Sequence, residues 1–133
     1  MSGETRAHML LVERLIAHVR AKHSPPRGLL VLADHHSFGP NRPQQIGGYT
    51  PDLFASDLPT TFEVIGEAKT MADLQSSRSQ RQIRAFLDYL SLRPQASFYL
   101  VVPPFQRRRS AAILDTLRVA AHSNVAVGVI DGV

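Results

Sequence analysis

Gly47-Gly-Tyr-Thr-Pro-Asp-Leu-Phe-Ala-Ser-Asp-Leu-Pro-Thr-Thr-Phe-Glu-Val-Ile-Gly-Glu-Ala-Lys-Thr70 is the stretch whose reading decides how this chain folds. Phe62, Val64, Gly66 and Ala68 alternate with Glu63, Ile65, Glu67 and Lys69, the period-two pattern of a β-strand. Ahead of it, Asp52 to Ser56 reads as a short strand, and Asp57-Leu58-Pro59-Thr60 supplies the turn between them. A turn centred near Leu58 and Pro59 pairs antiparallel residues whose numbers sum to roughly 117–119, so Asp52 falls opposite Gly66 or Glu67. Side chains opposed on one face have Cβ atoms only about 5 Å apart. Two carboxylates that close repel each other and need compensation. A divalent cation provides it, because hard cations take carboxylate and carbonyl oxygens as ligands. Lys69, two residues past Glu67, leaves the strand on the same face. The hairpin therefore presents two acids and one ammonium at one spot.

Outward from the hairpin, the pattern alternates between helix and strand. Met9, Val12, Leu15, Ile16 and Val19 recur at helical spacing, predicting a helix from about Ala7 to Lys22, capped by Thr5 or Gly3 and stopped at His23-Ser24-Pro25-Pro26. The apolar run from Gly28 to Ala33 predicts a buried strand. Asp34 to Gly48 reads as a long loop, the kind that is often functional. After the hairpin, Asp73 is the expected cap of a helix from about Leu74 to Leu92, with Ile83, Phe86, Leu87 and Leu90 inward and Arg78, Arg81 and Arg84 toward solvent. Ala96 to Val102 is a strand, Arg107 to Ala121 a helix, and Val125 to Ile130 a last buried strand. The order α-β-β-β-α-β-α-β predicts an α/β fold, a mixed β-sheet flanked by helices on both faces. Strand–helix–strand units after the hairpin cross over right-handed and make that end of the sheet parallel.

The chain has 133 residues, which suits a single domain spanning 1–133. It has no cysteine, which excludes disulfides and thiolate zinc sites, and no histidine spacing suits zinc either. No apolar run is long enough to span a membrane, and the polar start at Met1-Ser2-Gly3-Glu4 lacks the layout of a secretory signal, so cytoplasm is the expected compartment. Thirteen of the fifteen basic residues are arginine, and the net charge is +4. Between Thr70 and Arg118 there are eight arginines against three aspartates, with no lysine or glutamate. Arginine's planar fork matches phosphate oxygens, so the asymmetry points to a polyanionic partner, a plain solvated basic surface being the other reading. Arg107, Arg108 and Arg109 open a helix, where positive charge opposes the dipole, which favours a phosphate-binding role.

Pro51-Asp52 followed by Glu67-Ala68-Lys69, in this order of elements, resembles the PD-(D/E)XK nuclease superfamily. The resemblance covers nearly the whole chain in topology and a few residues in motif. It implies a restriction-endonuclease-like αβββαβ core, here with a C-terminal αβ extension. It also implies that Asp52, Glu67 and the backbone carbonyl of Ala68 hold a metal ion, and that Lys69 positions the attacking water. Glu13, the sole acid within the first helix, matches the further acid that many members carry there, as a catalytic group or a ligand to metal. Gln82 is the matching residue on the helix after the hairpin, with Gln80 and Arg78 next, and Thr70 a weaker candidate beside Lys69.

The expected activity is therefore a Mg2+-dependent nuclease, with Mn2+ able to substitute, hydrolysing phosphodiester bonds of DNA, RNA being left open. With so little chain beyond the core, action on a DNA structure or within a larger assembly fits better than site-specific restriction, and a homodimer would set two sites against two strands. Arg78, Arg81, Arg84, Arg107, Arg108 and Arg109 are the expected nucleic-acid contacts. The alternative is a nucleic-acid-binding or assembly module that keeps the fold without turnover. Simpler readings of single residues stand beside these. Asp52 could serve only the turn, and Glu67 with Lys69 only a same-face ion pair. Asp34-His35-His36 reads as a loop with incidental histidines, and Tyr49 either stacks on a base or packs on the sheet.

Overall fold

The computed structural model describes residues 5–132, so Gly3, the alternative cap, and the run 1–4 lie outside the described residues. Helix α1 (Arg6–Lys22) starts where Thr5 accepts the His8 N–H at 3.1 Å and buries Val12, Leu15, Ile16 and Val19. Strand β1 (Leu29–Ala33) leads into a loop containing one short 3-10 turn, His36–Phe38. The hairpin is formed by β2 (Leu53–Asp57) and β3 (Glu63–Ala68). Its register pairs Leu53 with Gly66 and Phe54 with Ile65, antiparallel. The same register carried one step outward sets Asp52 against Glu67. Asp57 closes the turn from inside, its Oδ1 accepting the Thr61 N–H at 2.7 Å and the Phe62 N–H at 3.0 Å.

Beyond the hairpin the chain departs from the expected single helix. It forms a one-turn helix α2 (Met71–Leu74) and then α3 (Ser77–Ser91). Asp73 does not cap α3. It completes a capping box with Thr70 at the start of α2, and Ser76 caps α3 by accepting the Ser79 N–H. Two caps six residues apart make two helices. Strand β4 (Ala96–Val102), helix α4 (Arg107–Leu117) and strand β5 (Val125–Asp131) follow, with a 3-10 turn at Ala120–His122 where the last helix was expected to continue.

The sheet is mixed and five-stranded in the order β1-β2-β3-β4-β5. β1–β2 and β2–β3 are antiparallel, whereas β3–β4 and β4–β5 are parallel. Hence β1 and β5, both expected to be buried, are the two edges, and Leu30 in β1 is 46% exposed. Successive residues of β3 feed opposite cores. Val64 and Ala68 face α1 with Leu15, Leu53 and Val101, while Ile65 faces α3 and α4 with Phe86, Phe98 and Leu114. Gly66 lets α1 lie close, since a Cβ there would stand 2.6 Å from Leu15 Cδ2. None of the helices among the described residues is long and apolar enough to cross a membrane.

Candidate metal and phosphate site

The open end of the hairpin brings Asp52, Glu67 and Lys69 together. Strand pairing carries each acid to its place, and the backbone then orients it. The Asp52 N–H donates to Glu67 Oε2 at 2.7 Å, and the Ala68 N–H donates to Asp52 Oδ2 at 2.8 Å. One oxygen of each carboxylate is thereby pinned. The other faces a side-chain nitrogen: Asp52 Oδ1 lies 3.4 Å from His8 Nε2, and Glu67 Oε1 lies 3.6 Å from Lys69 Nζ. Lys69 donates in turn to Gln82 Oε1 at 2.8 Å, so Gln82 reaches the site through the lysine.

Asp52, Ala68 and Lys69 line an open cleft of about 1110 Å³ between α1, the hairpin end and the β4–α4 connection. Glu67 is only 1% exposed and lies beneath that surface. Burial pushes its carboxyl well above the usual carboxylate range, and the Asp52 charge pushes it the same way, with Lys69 opposing both. Two acids are thus held together, one facing an ammonium and the other an imidazole. That donor set fits a hard divalent cation, which would take the second oxygen of each acid, the one not held by the backbone. Among the described residues no three His, Cys, Asp or Glu side chains converge as a metal set, so the remaining ligands would be carbonyl, water or phosphate oxygens.

Comparison with known proteins adds one finding about the fold. The structure of Pyrococcus furiosus SfsA in complex with Ca2+ superposes with a TM-score of 0.53 at 15% sequence identity. The match covers 91% of this chain, which spans 56% of the length of SfsA. At that identity the likeness is one of fold. No protein-family model matches the sequence, and no curated protein does.

The SfsA-like fold places the other sequence candidates unevenly. Glu13 lines the cleft from α1 but is held by His35, whose Nε2 lies 2.9 Å from Glu13 Oε2. His35 is buried, and its Nδ1 accepts the Ser37 N–H at 3.1 Å. The ring proton of a neutral His35 is therefore on Nε2, donating to Glu13. His35 is not incidental: it orients the acid. Asp34 pairs instead with Arg42 at 2.6 Å. His36 stacks on His35 with ring centroids 4.5 Å apart. Thr70 lines the cleft while capping α2, and Gln80 donates to the Leu74 carbonyl, tying α2 to α3. Tyr49 packs edge-on against Phe86 and carries the Arg78 guanidinium 5.5 Å above its ring.

Of the six arginines expected to bind nucleic acid, Arg78 lines the cleft. Arg81, Arg84, Arg107, Arg108 and Arg109 are exposed outside its lining. Two cleft residues went unread in the sequence, His8 and Arg14. A signal for His8 was present. It falls on the helical stripe of Val12, Leu15 and Val19, and a polar side chain at the end of an apolar stripe is out of place unless something polar meets it.

Proposed function

We propose that this chain is a divalent-cation-dependent nuclease that hydrolyses phosphodiester bonds of DNA. The observation that carries the reading is the convergence of Asp52, Glu67 and Lys69 at one end of the hairpin, where Asp52 and Lys69 open onto a cleft that also holds Arg14 and Arg78. The backbone pins one oxygen of each acid and leaves the other to side-chain partners, His8 and Lys69, that a cation could replace or join. Divalent binding by the SfsA neighbour, with Ca2+, is compatible with an oxygen-rich site in this fold. Mg2+ is the expected physiological ion and Mn2+ a workable substitute.

Asp52 and Glu67, with the Ala68 carbonyl, would hold the ion. When bound, it supplies neutralisation of the phosphate charge that otherwise repels a nucleophile. The chain's own groups do the rest. Lys69, tethered by Gln82, orients the attacking water and stabilises the charge that gathers on the phosphate oxygens. Arg78 and Arg14 hold the neighbouring phosphates along the cleft. Glu13, oriented by His35, takes a hydrogen bond from a water at the α1 side. Gln82 and His35 are positioning residues, acting through Lys69 and Glu13.

The test is to incubate the purified protein with plasmid, branched and single-stranded DNA in Mg2+, Mn2+ or EDTA. Cleavage that needs the cation and is lost in Lys69→Ala, with DNA binding retained, supports the reading. Binding unchanged by EDTA with no product from any substrate overturns it, leaving a non-catalytic nucleic-acid-binding module.

A further inference from the structure

The turn between β4 and α4 adopts a backbone its sequence does not favour. The Gln106 N–H donates to the Pro103 carbonyl at 3.3 Å, closing a four-residue turn with Pro104 second and Phe105 third. Phe105 has φ +68°, and it is the one non-glycine residue with positive φ among the described residues. Proline in the second place and positive φ in the third is a pattern that calls for glycine or asparagine in the third. A bulky residue there is an outlier, and such strain gathers at functional sites. Nothing inside the fold repays it. The Phe105 side chain is 100% exposed.

The turn is nevertheless firmly placed. Gln106 Oε1 accepts the Met71 N–H at 2.9 Å, and the Lys69 N–H donates to the Val101 carbonyl at 3.0 Å. These bonds moor the turn to the segment that leaves the candidate site. Pro103 and Pro104 line the cleft, so Phe105, one residue on, stands at its rim. After Gln106 come Arg107, Arg108 and Arg109, all exposed.

We propose that Phe105 is an aromatic platform at the rim of the cleft that stacks on an unpaired nucleobase, while the following arginines hold the flanking phosphates. The proposal rests on the nuclease reading and names its substrate class: DNA with unpaired nucleotides, at a single strand, fork or frayed end. An exposed ring offers a π-face to any base, and adjoining cations track the backbone. A base inside a duplex is already stacked on both sides and has no free face to offer. The moored turn fixes where the ring leaves the backbone before substrate arrives, so no backbone ordering is needed to present it.

Glycine is the residue this turn prefers, so Phe105→Gly removes the ring without endangering the fold. Binding is measured in EDTA against labelled single-stranded DNA, a fork with unpaired arms and a fully paired duplex. The Gly variant is expected to bind the strand and the fork roughly tenfold or more weakly and the duplex within about twofold, with a melting temperature equal to or above wild type. The chain has no tryptophan, so Phe105→Trp introduces a single one. Its emission should be quenched by the single strand and left unchanged by the duplex. If the Gly variant binds all three DNAs like wild type while Lys69→Ala still abolishes cation-dependent cleavage, this inference fails alone. Equal losses on strand and duplex also overturn stacking. A wild-type protein that binds none of these DNAs overturns this inference and the nuclease reading together.

Discussion

Lys69 Nζ sits between Gln82 Oε1 at 2.8 Å and Glu67 Oε1 at 3.6 Å, so the ammonium is oriented before any phosphate arrives. On the proposed nuclease reading, removing it takes away charge stabilisation in the transition state, and Lys69→Ala should lower kcat by roughly 100-fold or more with KM little changed. Gln82→Leu leaves the charge but frees it to wander, for a smaller fall of roughly tenfold. Steady-state kinetics at saturating Mg2+ separates the two. Glu67 carries a different consequence. Burial, then the charge of Asp52, raises its carboxyl well above the usual 4.5, so the folded chain keeps that proton to higher pH than the unfolded chain does. The stability tied to it is fully present below that usual value and is lost as pH rises through the raised one. In EDTA, Glu67→Gln should therefore match wild type in acid and melt at a higher temperature in mild alkali. Calorimetry across the range checks this; a variant that is less stable at alkaline pH would contradict the buried-charge account. The carboxylate pair itself was legible in the sequence because strand arithmetic is short-range. The orientation of Glu13 was not, because its partner His35 is 22 positions away across a loop.

Among the elements, the hairpin was the most legible, since period-two alternation and a turn with few choices narrow the pair sums to roughly 117–119. The observed register takes 119, with Val64 and Ile65 buried on opposite faces. The break between α2 and α3 was not foreseen, because Asp73 looks like a cap whichever of the two helices it serves. Only the pairing of Thr70 with Asp73 and of Ser76 with Ser79 decides between them. Likewise β1 reads as an interior strand, and nothing in Leu29 to Ala33 says that its far side has no neighbour. The close approach of α1 to β3 yields a prediction at this scale. A Cβ at Gly66 would meet three atoms of the buried Leu15 side chain at 2.6–3.0 Å. Gly66→Ala should cost about 1–3 kcal/mol in denaturant unfolding, because that side chain has no room to retreat. It should also lower cleavage beyond the loss of folded protein, since the displaced α1 carries His8 and Glu13. A variant as stable and as active as wild type would show that α1 is not seated by this glycine.

At the scale of the whole molecule, a cation held at the proposed site would share one equilibrium with folding. A cation that binds only the folded chain stabilises it by about 2.7 kcal/mol at one hundred times its dissociation constant. Mg2+ should therefore raise the melting temperature of wild type. Asp52→Asn, which keeps an oxygen to accept the Ala68 N–H, should abolish that rise. Charge was legible as a total but not as a map, because helical phase alone could not say which arginines face the cleft. Arg78 reaches it by resting on Tyr49, whereas Arg81 and Arg84 point to open solvent. Arg107, Arg108 and Arg109 are exposed and lie outside the cleft lining, so on the proposed reading they hold a strand leaving the site and take no part in bond breaking. Each phosphate they neutralise releases condensed counterions, so affinity falls with salt by about 0.7 log units per log unit for each contact on a single strand. Replacing all three by alanine should flatten the slope of log affinity against log salt by about 2 and weaken binding across sequences. The rate of a bound substrate should hold, because none of the three touches Asp52, Glu67 or Lys69. Fluorescence titrations over a salt series, paired with single-turnover cleavage, separate the two effects. An unchanged slope would remove these arginines from the DNA path, and a fall in single-turnover rate would move them into the site itself.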